Sequence, residues 1–351
     1  MSTYELLTGL AVEVEGYALE GLEREVSSDF VRLSTLVRLH GSREEGIGED
    51  VTYDALDHIA FRDAGASLPL AGSHTVDSFS RRLDELELFE VEPVREVSRR
   101  YRRWAFESAA LDLALRQAGR SLATALGREP QPVTFVVSLR LGEPPSLAPL
   151  RSRLALYPEL RFKLDPTESW DSELISALAA TGAVDAVDFK GHYRGSTVDQ
   201  TGGPDLYERV VDALPDVWIE DPDLSRPEID DVLRPHRSRI TWDAPIHSVA
   251  DIEALPFPPR MVNLKPSRLG GLQGLCRAYD HCRDRGIGAY GGGQFELGPG
   301  RGQIQYLASL FHPDSPNDVA PAAFNDPSPP AGLQTSPLVP APGPTGFRWG
   351  D

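Results

Sequence analysis

The chain has 351 residues, 40% of them hydrophobic and 25% charged, and carries 53 acidic against 35 basic residues for a formal net charge of −18. That composition is globular rather than disordered, and the length suits two domains or one α/β barrel with additions. The acid excess repels a phosphate backbone and argues against nucleic acid as a partner. No run of about 18 apolar residues is present to span a membrane, and the first ten residues lack a basic, apolar leader, so a cytoplasmic protein is expected.

Residues 10–15 and 35–40 show partial alternation of apolar and polar side chains, which predicts strands. Gly46-Ile47-Gly48-Glu49 reads as a turn. From about residue 50 to 119 the pattern turns helical. Trp104, Ser108, Leu111, Leu115 and Ala118 recur at intervals of three and four, with Gly119 as a stop. This first block reads as a separate α+β unit. From about residue 133 short apolar runs alternate with helical stretches. Strands are predicted at 133–139, 160–163, 186–189, 217–220, 240–243, 262–265 and 287–290, with an eighth near 294–297. Helices are predicted at 205–214 and 272–283, and Cys276 and Cys282 on the latter do not face each other. Strand–helix alternation implies a parallel sheet, and the number of units favours closure into a (β/α) barrel of the TIM type. The tail beyond residue 325 is rich in Pro, but Phe347 and Trp349 are large apolar groups, which predicts an arm that packs back on the first unit.

Five predicted strands end in a charged residue: Lys163, Asp188, Glu220, Asp243 and Lys265. The separations are 188−163 = 25, 220−188 = 32, 243−220 = 23 and 265−243 = 22, each about one strand–loop–helix–loop step. Five consecutive strands would then carry these charges at the C-terminal rim, where catalytic residues of such barrels lie. One charged residue at a strand end is ordinarily just solvated; five in this order are not explained that way. Three neighbouring carboxylates repel one another in a low-dielectric mouth, and a Mg²⁺ ion with its preference for carboxylate oxygen and water resolves the conflict. The two lysines flank the acidic trio, which suits removal of a proton next to a carboxylate, with the resulting ene-diolate stabilised by the ion.

These residues resemble the enolase superfamily, and within it the muconate-lactonizing-like subgroup, over nearly the whole chain. GIGED (46–50) is similar to a turn of the family's capping domain, and FESAALDLALRQAGR (106–120) to its helix leading into the barrel. WIEDP (218–222), KPSRLGG (265–271) and FELGPGR (295–301) are similar to its blocks at strands four, six and eight. The resemblance implies a capping domain over 1–130, a barrel over 131–315 and a C-terminal arm over 316–351 that returns to the cap, with loops around 22–32 and 46–53 closing over substrate. It implies Asp188, Glu220 and Asp243 as Mg²⁺ ligands and Lys163 and Lys265 as acid and base on opposite faces of a small-molecule carboxylate. Arg161, Lys190 and Glu296 are the implied substrate-binding residues, and a homo-oligomer is expected. Arg161 stands where the family has the first lysine of a pair, Lys190 replaces an Asn, and Ala244 replaces a second acid. The expected reaction is racemisation, epimerisation or cycloisomerisation. β-Elimination of water, as in o-succinylbenzoate synthases, and a non-catalytic binding protein on the same scaffold are the alternatives.

Overall fold

The computed structural model describes residues 1–26, 30–193 and 202–350. The N-terminal unit is built on three long antiparallel strands, β1 to β5 being Ala11–Val14, Gly16–Val26, Phe30–Gly41, Glu44–Asp50 and Gly72–Thr75. Strands β2, β3 and β4 form a meander, while β1 pairs with β5. Helices α1 (Ala55–Ala64), α2 (Val76–Asp84), α3 (Ser98–Gln117) and α4 (Leu122–Leu126) complete it. The described residues of the segment 22–32 are thus paired strand rather than loop, and 27–29 lie outside the described residues.

The GIGED segment is strand, not turn, and its glycines show why. A Cβ on Gly46 would stand 2.1 Å from the Ala109 carbonyl oxygen, and one on Gly48 would stand 1.9 Å from that of Ala105. The strand therefore lies directly on the backbone of α3, which only glycine permits. The register His40↔Glu45 to Thr35↔Asp50 supplies the ladder that local propensity does not. Between the glycines, the Ile47 amide donates to Asp112 Oδ2 at 2.9 Å.

The second unit alternates β6 (Val137–Leu139), α5 (Ala148–Leu156), β7 (Phe162–Leu164), α6 (Ser172–Thr181), β8 (Val184–Asp188), α7 (Pro204–Ala213), β9 (Trp218–Glu220), α8 (Pro227–Leu233), β10 (Ile240–Trp242), α9 (Val249–Glu253), β11 (Met261–Leu264), α10 (Leu272–Arg285), β12 (Gly288–Gly291) and α11 (Pro299–Phe311). The seven strands are parallel and ordered as in the sequence. Phe162, Leu164, Val187, Ile219, Ile240, Val262 and Leu264 are buried toward the helices. The residues between them point to the axis, because side chains alternate across a strand.

The barrel does not close where the sequence pattern suggests. Residues 294–297 form no strand. The eighth stave is instead the short segment around Asn317 and Asp318, bridged in parallel to Phe135 on one side and Gly292 on the other. Asn317 replaces the missing ladder with its side chain. Its Oδ1 accepts from the Gly291 amide at 2.7 Å, and its Nδ2 donates to the carbonyls of Thr134, His312 and Ser315 at 3.0, 2.9 and 2.9 Å. With Oδ1 as an acceptor, the 2.6 Å contact to His312 Nδ1 requires the proton on that nitrogen.

The C-terminal arm runs back to the cap. Phe347 is fully buried between Trp104 of α3 and Tyr306 of α11. Its amide donates to Asp112 Oδ1 at 2.8 Å, and Arg348 pairs with Oδ2 of the same carboxylate at 2.6 Å. Cys276 and Cys282 are buried free thiols. No helix among the described residues is long and apolar enough to cross a membrane.

Burial pulls the His312 imidazole down from 6.5 to about 4. The unfolded chain therefore takes up a proton that the folded chain refuses. The stability from neutral His312 is complete above about pH 6.5 and is lost as pH falls toward 4, by roughly 3 kcal/mol across that window. Urea unfolding of wild type and His312→Gln between pH 7 and 4 should show a shallower decline in the variant.

Candidate active site

Each charged residue at the rim follows from the alternation just described. Phe162 and Leu164 face the helices, so Lys163 faces the axis. Asp188 and Glu220 end β8 and β9, and Asp243 and Lys265 directly follow β10 and β11. All five are buried, with relative exposures from 0 to 7%.

The groups are linked by short contacts. Lys163 Nζ lies 2.8 Å from Glu220 Oε1, 3.1 Å from Asp318 Oδ2 and 3.7 Å from Asp188 Oδ2. Lys265 Nζ bonds Asp243 Oδ2 at 2.8 Å, and Arg268 holds Oδ1 of the same carboxylate at 2.8 Å. Tyr290, from β12, donates its hydroxyl to Glu220 Oε2 at 2.5 Å. Lys190 follows the end of β8 in a left-handed conformation, φ 54°. Its ammonium turns back onto Asp188 Oδ2, and its backbone N–H donates to Oδ1 at 3.0 Å.

Sequence reasoning missed Asp221, whose φ of 46° aims it into the same group. Its two oxygens accept from the amides of Asp243 and Ala244 at 2.9 and 2.8 Å. Asp318, Tyr290 and Arg268 were missed as well. Arg268 sits in the quoted KPSRLGG block, and strand alternation could have flagged Tyr290; nothing in the sequence marks Asp318. Of the three expected substrate contacts, only Lys190 joins the acids. Arg161 lies at the N-terminal end of the barrel, where it bonds Asp185 and the Gly182 carbonyl with a side chain 39% exposed. It cannot reach the rim from there. Glu296 is buried in the loop after β12, beside Arg301 at 3.1 Å, with Oε1 accepting from the Gln294 amide at 2.6 Å.

The electrostatics reflect crowded acids. Burial, with Asp188 and Asp243 nearby, pushes the Glu220 carboxyl far above its usual range despite Lys163. Burial and the same two acids raise Asp221 to about 7. Burial opposes the charge of Asp188 too, but Lys190 and Lys163 outweigh it and hold that carboxyl at about 2. Against the same penalty Arg268 and Lys265 hold Asp243 well below the ordinary value. Burial also disfavours the Lys163 ammonium, yet Glu220, Asp318 and Asp188 keep it charged. Burial pulls Lys265 down, with Arg268 and Lys163 adding to the effect and Asp243 opposing it.

The acids fit a metal ion. One oxygen each from Asp188, Glu220 and Asp221 lie within 4.8 Å of one another, and all three residues are buried. The donor set is all carboxylate, the chemistry of a hard divalent cation. Burial is the first cause of the upward push on Glu220 and Asp221, and the neighbouring acids add a part that such a cation would offset.

The cap is tied to the same end of the barrel. Glu49 of GIGED accepts from the amides of Leu297, Gly298 and Gly300 at 2.7, 3.0 and 3.0 Å, at the start of α11. A carboxylate there meets unpaired N–H groups and the positive end of the helix dipole. Arg32 bonds the Gln294 and Phe295 carbonyls at 3.0 and 3.3 Å while holding those of Val51 and Thr52 in the cap. In KPSRLGG, a Cβ on Gly271 would stand 2.7 Å from Glu107 Oε2, the oxygen that accepts from the Leu272 amide at the start of α10.

A barrel with acids and lysines at its C-terminal rim, capped by an α+β unit on which the C-terminal arm packs, is the fold seen in solved members of the enolase superfamily, among them one from Listeria innocua that superposes with a TM-score of 0.63 at 18% identity over 89% of this chain and 86% of that one. A dipeptide epimerase from Methylococcus capsulatus, solved with Mg and the dipeptide L-Arg-D-Lys, superposes with a TM-score of 0.69 at 20% identity, covering 89% of this chain and 92% of that one. The chain belongs to the family described as "Domain of unknown function (DUF8230)", whose N-terminal domain matches residues 5–125 and whose C-terminal domain matches residues 129–326. Among curated proteins, it is similar to an o-succinylbenzoate synthase of Bacillus subtilis (strain 168), 29% identical over 231 residues, 61% of this chain and 57% of that protein. It is also similar to an N-succinylamino acid racemase of an Amycolatopsis species, 30% identical over 223 residues, 62% of this chain and 59% of that protein. Both matches span less than two thirds of the relative's length. These likenesses are consistent with the muconate-lactonizing-like subgroup.

The Lys190 ammonium competes with any cation for Asp188. Like charges about 5 Å apart repel by a few kcal/mol at an effective dielectric of about 20. Lys190→Asn should therefore tighten divalent-cation binding by about tenfold or more, read by titration calorimetry.

Proposed function

We propose that this protein is a Mg²⁺-dependent enzyme that removes the proton α to the carboxylate of a small molecule and returns a proton to the same carbon. The observation that carries this reading is the placement of Lys163 and Lys265. They rise from β7 and β11, four staves apart in a ring of eight, and so face each other across the mouth. Asp188, Glu220 and Asp221, whose oxygens converge, are the residues that would hold the ion, with Asp243 as a further ligand if its present cations make room. When bound, the ion supplies positive charge against which the negative charge developing on the substrate carboxylate is stabilised.

The rest falls to the chain's own groups. A substrate α-carbon between the two lysines presents one face to each. Whichever lysine is neutral removes the proton from its side, and the other, as ammonium, delivers one from the opposite side, which inverts the centre. Glu220 and Asp318 hold Lys163 in place, and before an ion binds Asp243 holds Lys265. The cap, anchored through Glu49 and Arg32, keeps bulk water from the mouth.

β-Elimination of water is the second outcome, supported by the o-succinylbenzoate synthase among the relatives. It begins with the same proton removal. Both relatives are named for compounds with a succinyl group, so acids bearing one head the set of candidate substrates.

In D₂O with Mg²⁺, a panel of such acids should include one that gains deuterium at its α-carbon. Lys163→Met and Lys265→Met, which keep stem volume without the ammonium, should each lower turnover by about 10²–10⁴-fold with the circular dichroism spectrum unchanged. An ultraviolet band from a new C=C bond separates elimination from inversion. A panel with no α-exchange at all overturns the proposal.

A further inference from the structure

Asn263 is unlike the other polar side chains of the barrel mouth. It is 1% exposed, and neither its Oδ1 nor its Nδ2 has a hydrogen-bond partner. Two other buried oxygens near the rim lack a hydrogen bond, but each has a cation at hand. Asp165 Oδ1 lies 3.9 Å from Lys190 Nζ, and Glu296 Oε2 lies 3.1 Å from Arg301. A buried amide left unpaired costs about 1–3 kcal/mol.

Its direction is fixed by the sheet. Asn263 on β11 is in register with Tyr290 on β12, and Tyr290 reaches Glu220 across the barrel interior. Register partners share a face, so Asn263 points to the axis as well. Lys265 lies two residues on and therefore on the same face. The two side chains flank one small space: a Cβ on Gly292 would meet Lys265 Cε at 2.6 Å and the Asn263 Nδ2 and Oδ1 at 2.8 and 2.9 Å.

Lys265 and Arg268 now occupy both oxygens of Asp243. A divalent cation brought to Asp243 would be repelled by the ammonium and guanidinium already on it, which favours one of them moving off. Arg268 is anchored twice, since it also bonds the Asp243 backbone carbonyl. The flexible Lys265 stem is the one free to swing, and its ammonium then needs a buried acceptor. We propose that Asn263 is a positioning residue that gives the Lys265 ammonium a second seat, its Oδ1 accepting that group when Asp243 turns to a divalent cation. The inference rests on the cation reading of the proposed function.

The test is Mg²⁺ titration calorimetry on the full chain. Asn263→Leu, similar in volume but without an acceptor, should weaken Mg²⁺ binding by about tenfold or more. Asn263→Thr, which keeps an oxygen, should bind more tightly than the Leu variant. In a Lys265→Met background the Asn263→Leu change should have no effect on Mg²⁺ affinity, a coupling that a merely structural role would not produce. If the Leu variant does not fold, Asn263→Ala makes the same comparison without added bulk. Unchanged affinity in the single variant, or a loss that persists without Lys265, overturns the inference and leaves the proposed function standing. A wild-type chain that takes up no Mg²⁺ overturns both.

Discussion

Everything at the mouth of this barrel depends on charge neutralisation out of water. Asp188, Glu220, Asp221 and Asp243 are all buried at one end of a closed sheet. Unpaired, such carboxylates would not stay ionised, since burying one bare charge costs several kcal/mol even after relaxation. Lys163, Lys190, Lys265 and Arg268 make the cluster tolerable, each by direct contact with an acid. The compensation is uneven. Asp188 and Asp243 are well matched by cations, whereas Glu220 shares Lys163 and, among the described residues, Asp221 is held by backbone N–H groups. The residual attraction for positive charge is concentrated between β8 and β9, where the acid oxygens stand closest.

The scaffold holds these groups through contacts between distant segments. Glu49 of the cap meets the start of α11, Glu107 of α3 meets the start of α10, and Arg32 clasps the loop after β12. Each is a charged cap residue bonded to backbone of the barrel. Such bonds are directional and fix the cap at one angle to the mouth, which apolar packing alone does not do.

Much of this was legible in the sequence, for a physical reason. Strands buried on both faces read as short apolar runs, and a charged residue closing five of the runs marked the rim. Hence all seven parallel strands and the five rim charges could be located. The failures have equally definite causes. β2 (Gly16–Val26) is largely exposed along its length, so its alternation is weak. β4 looked like a turn because its glycines serve close approach to α3 rather than left-handed backbone. The eighth stave is too short to leave a pattern and depends on the side chain of Asn317. Arg161 has the right spacing for the rim but finds Asp185 at the other end of the barrel, a pairing that spacing cannot reveal. Asp221 was hidden because its importance comes from a single φ angle.

The arm that brings Phe347 to α3 imposes an order of events during biosynthesis. Asp112 must wait for a partner 235 positions downstream before its carboxylate is fully satisfied. Until then a nascent cap exposes Trp104 and an unfilled socket, so the N-terminal unit emerges from the ribosome unfinished. Contacts of such long sequence separation slow folding, so completion of the cap is tied to the arrival of the last residues of the arm.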